Sequence, residues 1–309
     1  MARYGMVIDL TKCVGCRACM VACKIENSTP RDVWYMYVFR FEEGEYPNVR
    51  VRYLPRPCMH CQNPPCVRAD KDGARIKWRD WLVETDYDNH KGDRSLELAC
   101  PYGVNFFIEE DPDLYIDWSK DEFTAGIFGW FNPDLQEPSK WDGDPEKKER
   151  RLAGGPYRAQ TAGKCTFCIH RLDKGIQVTA CQQVCPVEAI IFGDLDDPNS
   201  EISKVLEGKI ERKKVKVIGP GKVESEEEVV VPKEGSGVFV LKPESGAYPK
   251  VFYIGDPPDE DARPIEIIPV KKGTQANGDE KWGNLDIPFG LPEKEKKKKP
   301  FTCSDAERR

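Results

Sequence analysis

The sequence predicts an α+β fold in which short strands and short helices surround cysteine-bearing loops, followed by a small antiparallel β region and an extended C-terminal tail. Three observations predict it. Twelve of the 13 cysteines fall into groups at metal-ligand spacing, and two groups end in Cys-Pro, at Cys100-Pro101 and Cys185-Pro186. Strand-like runs such as "YGMVIDL" and "VRVRYLP" are brief and alternate with Gly, Pro, Asn and Asp. The hydrophobic share is 39% and the mean hydropathy is −0.61, which suits modules whose interior is filled largely by something other than apolar side chains.

Taken in order, Tyr4 to Leu10 read as a strand leading into the first cysteine loop, and "KIENSTP" after Cys23 breaks the short helix there. "VRVRYLP" is a second strand, and "ARIKW" with "WLVET" forms a hairpin. From Trp118 to Trp141 aromatic residues are dense among turn formers. A docking surface and a locally packed Ω-loop both account for them. Between Lys209 and Leu241, "KVKVIG", "EEVVV" and "GVFVL" suggest one small antiparallel accessory sheet on the surface. After Ile254 the chain is rich in Pro, Lys and Glu with little strand alternation. Its run "EKEKKKK" suits a solvated tail or an electrostatic clasp on a partner.

Cys13, Cys16, Cys19 and Cys23 form C-x2-C-x2-C-x3-C, the bacterial ferredoxin run. Three such thiolates wrap one iron–sulfur cube, and the fourth normally ligates the neighbouring cluster. Zinc favours two separated ligand pairs, and a disulfide framework suits a secretory context, so neither fits this run. A second group is Cys58, Cys61, Cys66 and the distant Cys100; a third is Cys165, Cys168, Cys181 and Cys185. The ferredoxin rule then predicts three 4Fe–4S clusters: Cys13, Cys16, Cys19 with Cys185; Cys23 with Cys165, Cys168, Cys181; and Cys58, Cys61, Cys66 with Cys100. Cys303 is left over as a free thiol.

A fourth cluster, mirroring the others, would take position 70 and the positions four, seven and ten residues before Cys100. These are Asp70, Leu96, Asp93 and His90. All four non-cysteine residues belong to one predicted site, which points to removal of that site and refilling by side chains and salt bridges. The alternative is a harder or borderline metal held by Asp70, His90 and Asp93.

The ordered motifs "CVGCRACMVAC", "PCMHCQNPPCV", "ACPYGV", "CTFCIHRLDKG" and "ACQQVCPVEAI", with "FGDLDDPNSEIS" and "VLKPESGAYPKVFYI", closely resemble the iron–sulfur subunits that accompany molybdopterin enzymes of the dimethyl sulfoxide reductase family. The resemblance runs to about residue 254. It implies two nested bacterial-ferredoxin-like 4Fe–4S modules with pseudo-two-fold symmetry. On this basis 1–50 with 164–208 form the outer module, and 51–108 the inner module with one cluster lost. Residues 109–163 are an aromatic-rich insert, 209–255 a β accessory region and 256–309 the tail. A three-cluster pattern of this kind is similar to the small subunits of pyrogallol–phloroglucinol transhydroxylase and related hydroxylases. Their C-terminal β-barrel does not fit the tail here, and the insert has no counterpart there.

The resemblance further implies a large catalytic subunit holding molybdenum or tungsten on a bis-pterin cofactor, with the Cys13 cluster nearest to it. Loss of the fourth cluster suggests a soluble electron donor or acceptor at the far end. A self-standing polyferredoxin carrier and a redox-silent structural subunit are the competing classes. Catalysis by the chain itself is not expected, since no nucleophile–base pair or phosphate-binding loop is present. Lys+Arg number 47 against 53 Asp+Glu, a net charge of −6, which gives no footprint for nucleic acid. No apolar run approaches the about 20 residues of a membrane helix, and no signal h-region precedes Cys13. Cytoplasmic location is therefore expected, export beside a twin-arginine-signal partner being the alternative. His60, His170, Arg171 and Lys174 flank the cysteines, where they can tune cluster potential or simply pack and solvate. For His60, packing and an exposed tip are the expected roles.

Overall fold

The computed structural model describes residues 2–27, 29, 33–78, 80–87, 89–108, 159–218, 224–258 and 262–266. The aromatic insert up to residue 158, the lysine run and Cys303 lie outside them. The central sheet has the order β11-β12-β1-β8, with β1 Tyr4–Asp9, β8 Ile190–Asp194, β11 Val238–Phe239 and β12 Val251–Ile254. Both faces of β1 are covered. Met6 and Ile8 enter the main core, whereas Val7 packs with Ile191, Phe252, Ile202 and Val230 in a second one. This explains why β1 reads as a continuous apolar run instead of an alternating one.

Strand β1 runs antiparallel to β8, with Ile8 opposite Ile190, and parallel to β12, with Met6 opposite Val251. The chain leaves β1 into the first cysteine loop and enters β8 straight after Cys185, so this pairing brings the two loops to one edge. Asp9 N donates to Ala189 O at 2.8 Å across that edge. Helix α1 (Ala18–Glu26) follows and packs against the later helix α5 (Ala180–Gln183). It stops where the sequence breaks: Asn27 N and Nδ2 both donate to Cys23 O, at 3.1 and 2.8 Å.

Strands β2 (Tyr37–Glu43) and β3 (Arg50–Arg56) form a hairpin, which β13 (Arg263–Glu266) extends on the β2 side. The tail thus contributes a strand that its composition hid. Pro264 is tolerated because β13 is an edge strand and need not donate outward. The predicted hairpin is β4 (Arg75–Lys77) with β5 (Val83–Thr85). Beside it, α2 (Pro65–Ala69) packs against α3 (Ser95–Leu98) and against β4. Strand β6 (Phe106–Ile108) pairs with β7 (Thr161–Gly163) and joins the two ends of the insert.

Helix α4 (Ile169–Leu172) continues from the third cysteine group, and Ser200 caps α6 (Glu201–Val205) by accepting from Ser203 N. Strands β9 (Ile210–Ile218) and β10 (Glu224–Pro232) make a two-stranded hairpin. The expected single accessory sheet is therefore split. "GVFVL" leaves it as β11, because Val238 is buried against the second core beside Phe252. The hairpin is also tied inward, since the Gln62 side chain bonds both Val230 N and Val230 O at 2.8 Å, as a neighbouring strand would. No helix among the described residues is long and apolar enough to cross a membrane.

Candidate metal centres

Cysteine is part of the main core: Cys19, Cys23, Cys58, Cys61, Cys100, Cys165 and Cys181 are all buried in it. The thiols act electrostatically on one another within three groups and between them, the strongest thiol influence on Cys19 coming from Cys181 and on Cys165 from Cys58. In the first, Cys13 meets Cys185 and Cys16, and Cys19 meets Cys13, Cys16 and Cys185. In the second, Cys23 faces Cys165, Cys168 and Cys181. In the third, Cys61 faces Cys58, Cys66 and Cys100. Burial pushes up the thiols of Cys13, Cys19, Cys23, Cys61, Cys66, Cys165, Cys168 and Cys181, and that of Cys100 to about 11. The sets lie in a row, because Cys19 also meets Cys181 and Cys165 also meets Cys58.

Backbone and side-chain N–H groups point at several sulfurs. Ala180 N donates to Cys168 Sγ at 3.4 Å, Ala189 N to Cys185 Sγ at 3.3 Å and Asn27 Nδ2 to Cys23 Sγ at 3.4 Å. Such donors favour sulfur carrying negative charge. The third set lines a small cavity together with Met59, His60 and Tyr102. Among the described residues no three His, Cys, Asp or Glu side chains are placed to hold a single metal ion. A donor set of four thiols spread around a space fits a 4Fe–4S cube, whose ligands stand at its corners.

The loop of the first set depends on Gly15, which has φ +67°. A Cβ there would lie 2.2 Å from the Tyr53 ring. Gly15→Ala is therefore expected to cost about 2 kcal/mol or more in loop strain. Iron content of the anaerobically purified variant checks this, with a selective loss of about one cluster predicted.

Three of the four positions read as a vacated site share one electrostatic neighbourhood: His90 interacts with Arg75, Asp70, Asp72 and Asp93. The carboxylates serve local turns. Asp70 Oδ1 accepts from Asp72 N at 3.0 Å and its Oδ2 from Arg75 N at 2.6 Å. Asp93 Oδ1 accepts from Ser95 N at 2.9 Å, and Lys71 lies 3.8 Å from its Oδ2. The two His90 ring nitrogens face Gly92 N at 3.1 Å and Ala162 N at 3.2 Å. A neutral imidazole accepts only one of these. Leu96 is buried against Phe107 and Ala162.

Of the two roles expected for His60, packing is what the structure shows, and the exposed tip is not. Its ring is fully buried, stacks on Phe167 at 3.9 Å, takes the Val83 N–H on Nδ1 and bonds Cys165 O through Nε2 at 2.8 Å. It fastens the second cysteine group to the third. His170 and Arg171 converge on Glu26, with His170 Nε2 at 2.6 Å and Arg171 Nε at 2.5 Å from Oε1, and Arg171 Nη2 at 2.8 Å from Oε2. Burial alone would raise the Glu26 carboxyl, but bonds from His170 and then Arg171 hold it at about 2. Its folded value lies below the ordinary one, so its stabilisation is complete above about pH 4.5 and lost as pH falls toward 2. Glu26→Gln is expected to cost about 2 kcal/mol, read as a lowered urea midpoint at pH 7.

Sequence reasoning missed Arg75, Lys164 and Lys250, each almost wholly buried near the third set. Lysine and arginine beside polar loops look solvated, and no local pattern announces burial. Lys164, next to Cys165, carried the only available hint.

A family model described as a 4Fe-4S dicluster domain matches residues 49–113. That stretch holds four cysteines, Cys58, Cys61, Cys66 and Cys100. The chain is 36% identical over 256 residues to the arsenate respiratory reductase iron-sulfur subunit ArrB of Shewanella sp., covering 82% of this chain and 96% of that protein. It is 38% identical over 206 residues to a selenate reductase subunit of Mesobacillus selenatarsenatis, covering 66% of this chain and 64% of that protein. It is 32% identical over 219 residues to a putative dimethyl sulfoxide reductase iron-sulfur subunit of Halobacterium salinarum, covering 67% of this chain and 71% of that protein. With its thiol sets and this breadth of likeness, the chain belongs to the family of electron-transfer iron–sulfur subunits of dimethyl sulfoxide reductase-type molybdopterin enzymes.

Proposed function

We propose that this chain carries three 4Fe–4S clusters and serves a catalytic subunit that holds molybdenum or tungsten on a bis-pterin cofactor. The observation that carries the reading is the row of three four-thiol sets, each joining cysteines from distant parts of the chain. Cys13, Cys16, Cys19 and Cys185 would hold the first cluster, Cys23, Cys165, Cys168 and Cys181 the second, and Cys58, Cys61, Cys66 and Cys100 the third. When bound, such clusters carry single electrons and so connect a two-electron centre to one-electron partners.

Asp70, His90, Asp93 and Leu96 are read as the remains of a fourth site and not as ligands. Their engagement by backbone donors and apolar packing supports this. So does the family model, which describes two clusters over a stretch where the chain has thiols for one. Two nested modules with pseudo-two-fold symmetry, the outer formed by 1–50 with 164–208 and the inner by 51–108, are supported by the packing of α1 on α5 and of α2 on α3. Strand β12, from the 209–255 region, completes the outer module's sheet.

The first set is the end at which a partner would dock. Cys16 is exposed, and Val14 (55%), Val21 (53%), Ile25 (51%), Ile176 (47%) and Val184 (40%) leave apolar surface around that region. The test is anaerobic purification of the native complex through a tag on this chain, with metal analysis. A co-purifying large subunit bearing about one molybdenum or tungsten per copy is expected. Recovery of the fully iron-loaded chain alone, as a monomer with neither metal, would instead make it a self-standing carrier.

A further inference from the structure

Arg75 is 2% exposed, Lys164 1% and Lys250 0%. None of the three lies within ion-pair distance of a carboxylate among the described residues, and Lys250, which burial lowers to about 7, feels Asp80 only from beyond that distance. Lys164 Nζ donates to Val83 O and, at 3.0 Å, to Cys165 O; Lys250 Nζ donates to Trp81 O. Arg75 Nη2 donates to Ala162 O at 3.3 Å, while its Nε and Nη1 have no hydrogen-bond partner among the described residues. Burying a cation without an anion is costly, so three of them together mark a place where negative charge is expected.

Arg75 and Lys250 flank the third thiol set, and Lys164, which bonds Cys165 O of the second, acts on Cys66 of the third. Arg75 opens β4, which packs on α2, the helix that carries Cys66. Lys250 N donates to Met59 O at 3.0 Å, between Cys58 and Cys61. Arg75 and Lys164 act electrostatically on Cys66, and Lys250 on Cys61. The other sets differ. The largest charge effects on Cys13 and Cys19 of the first set come from other thiols. Cys168 of the second meets Arg171, but that guanidinium is paired with Glu26, which acts on the same thiol in the opposite sense.

We infer that Arg75, Lys164 and Lys250 are positioning residues that set the third cluster's potential, holding it in the most cationic surroundings and making it the first of the three to be reduced. The inference rests on the proposal that the third set binds a 4Fe–4S cluster. One-electron reduction adds one negative charge to the cube and its thiolates, without a proton, and attraction to fixed cations favours that state. The electron comes from the redox partner in the complex, or from dithionite in the test. Arg75 thus keeps a charge beside the inner module where the predicted fourth cluster is missing.

The test is an EPR-monitored redox titration of the iron-loaded complex at fixed pH, with iron counted on each sample. In Arg75→Gln and in Lys250→Gln, the first-reduced cluster is expected to lose at least tenfold in its reduction equilibrium, a shift of about 59 mV for one electron. Arg75→Lys should keep it within threefold, and the other two clusters should stay in place. If charge removal ejects the third cluster while Arg75→Lys and Lys250→Arg retain it, the charge itself is what holds the anion, which also supports the inference. A full iron complement with no tenfold shift, a shift in a different cluster, or equal cluster loss in charge-keeping variants would overturn it. Wild-type protein lacking a cluster at the third set would defeat the underlying proposal instead, and the wild-type iron count separates the two failures.

Discussion

Replacing Cys185 with serine in the native complex is expected to remove about four of about twelve irons and to disconnect the chain from its catalytic partner. Cys185 comes from far along the chain, brought to Cys13 by the antiparallel pairing of β1 with β8. Its loss leaves Cys13, Cys16 and Cys19 at the end of the row with three thiolates, and cluster affinity should fall by at least about 100-fold. Electron exchange between partner and chain should fall with it, while signals from the second and third clusters persist. Cys303→Ser, outside the twelve, should leave iron unchanged. Full iron and unimpaired exchange in Cys185→Ser would show that the first set is not assembled as described.

Stripping iron with a chelator under reducing conditions should abolish the cooperative fold. Seven buried cysteines belong to the main core, and Arg75, Lys164 and Lys250 would be left without the anion that balances them. Each stranded cation costs several kcal/mol, against a total stability of about 5–15 kcal/mol for an ordinary domain. The stripped chain should keep part of its far-UV signal, lose its near-UV signal and bind a hydrophobic dye. A sharp thermal transition within a few degrees of the loaded chain would mean that the apolar core alone suffices.

Much of this was legible in the sequence because spacing is local information. The strand at Tyr4–Asp9, the stop after Glu26 and the β4–β5 hairpin each follow from residues a few positions apart. The grouping of cysteines rests on one spacing rule that names distant partners, and Cys185 acts on Cys13, and Cys165 on Cys23, among their electrostatic neighbours. Long-range competition was not legible. Val238 belongs to β11 because the second core takes it, and Pro264 sits in a strand because β2 offers an edge. His60 looked like a loop tip until Phe167, from 107 positions along, stacked on it. The gap at Asp70, His90, Asp93 and Leu96 could be counted out by spacing. That Arg75 would neighbour it, buried and with no side-chain ion pair among the described residues, could not.

The most direct measurement is iron per copy of this chain in the anaerobically purified native complex, after subtracting any cluster on the partner subunit. About twelve irons are predicted, one cube for each of the three thiol sets. About sixteen would contradict the account and make Asp70, His90 and Asp93 ligands of a fourth cluster.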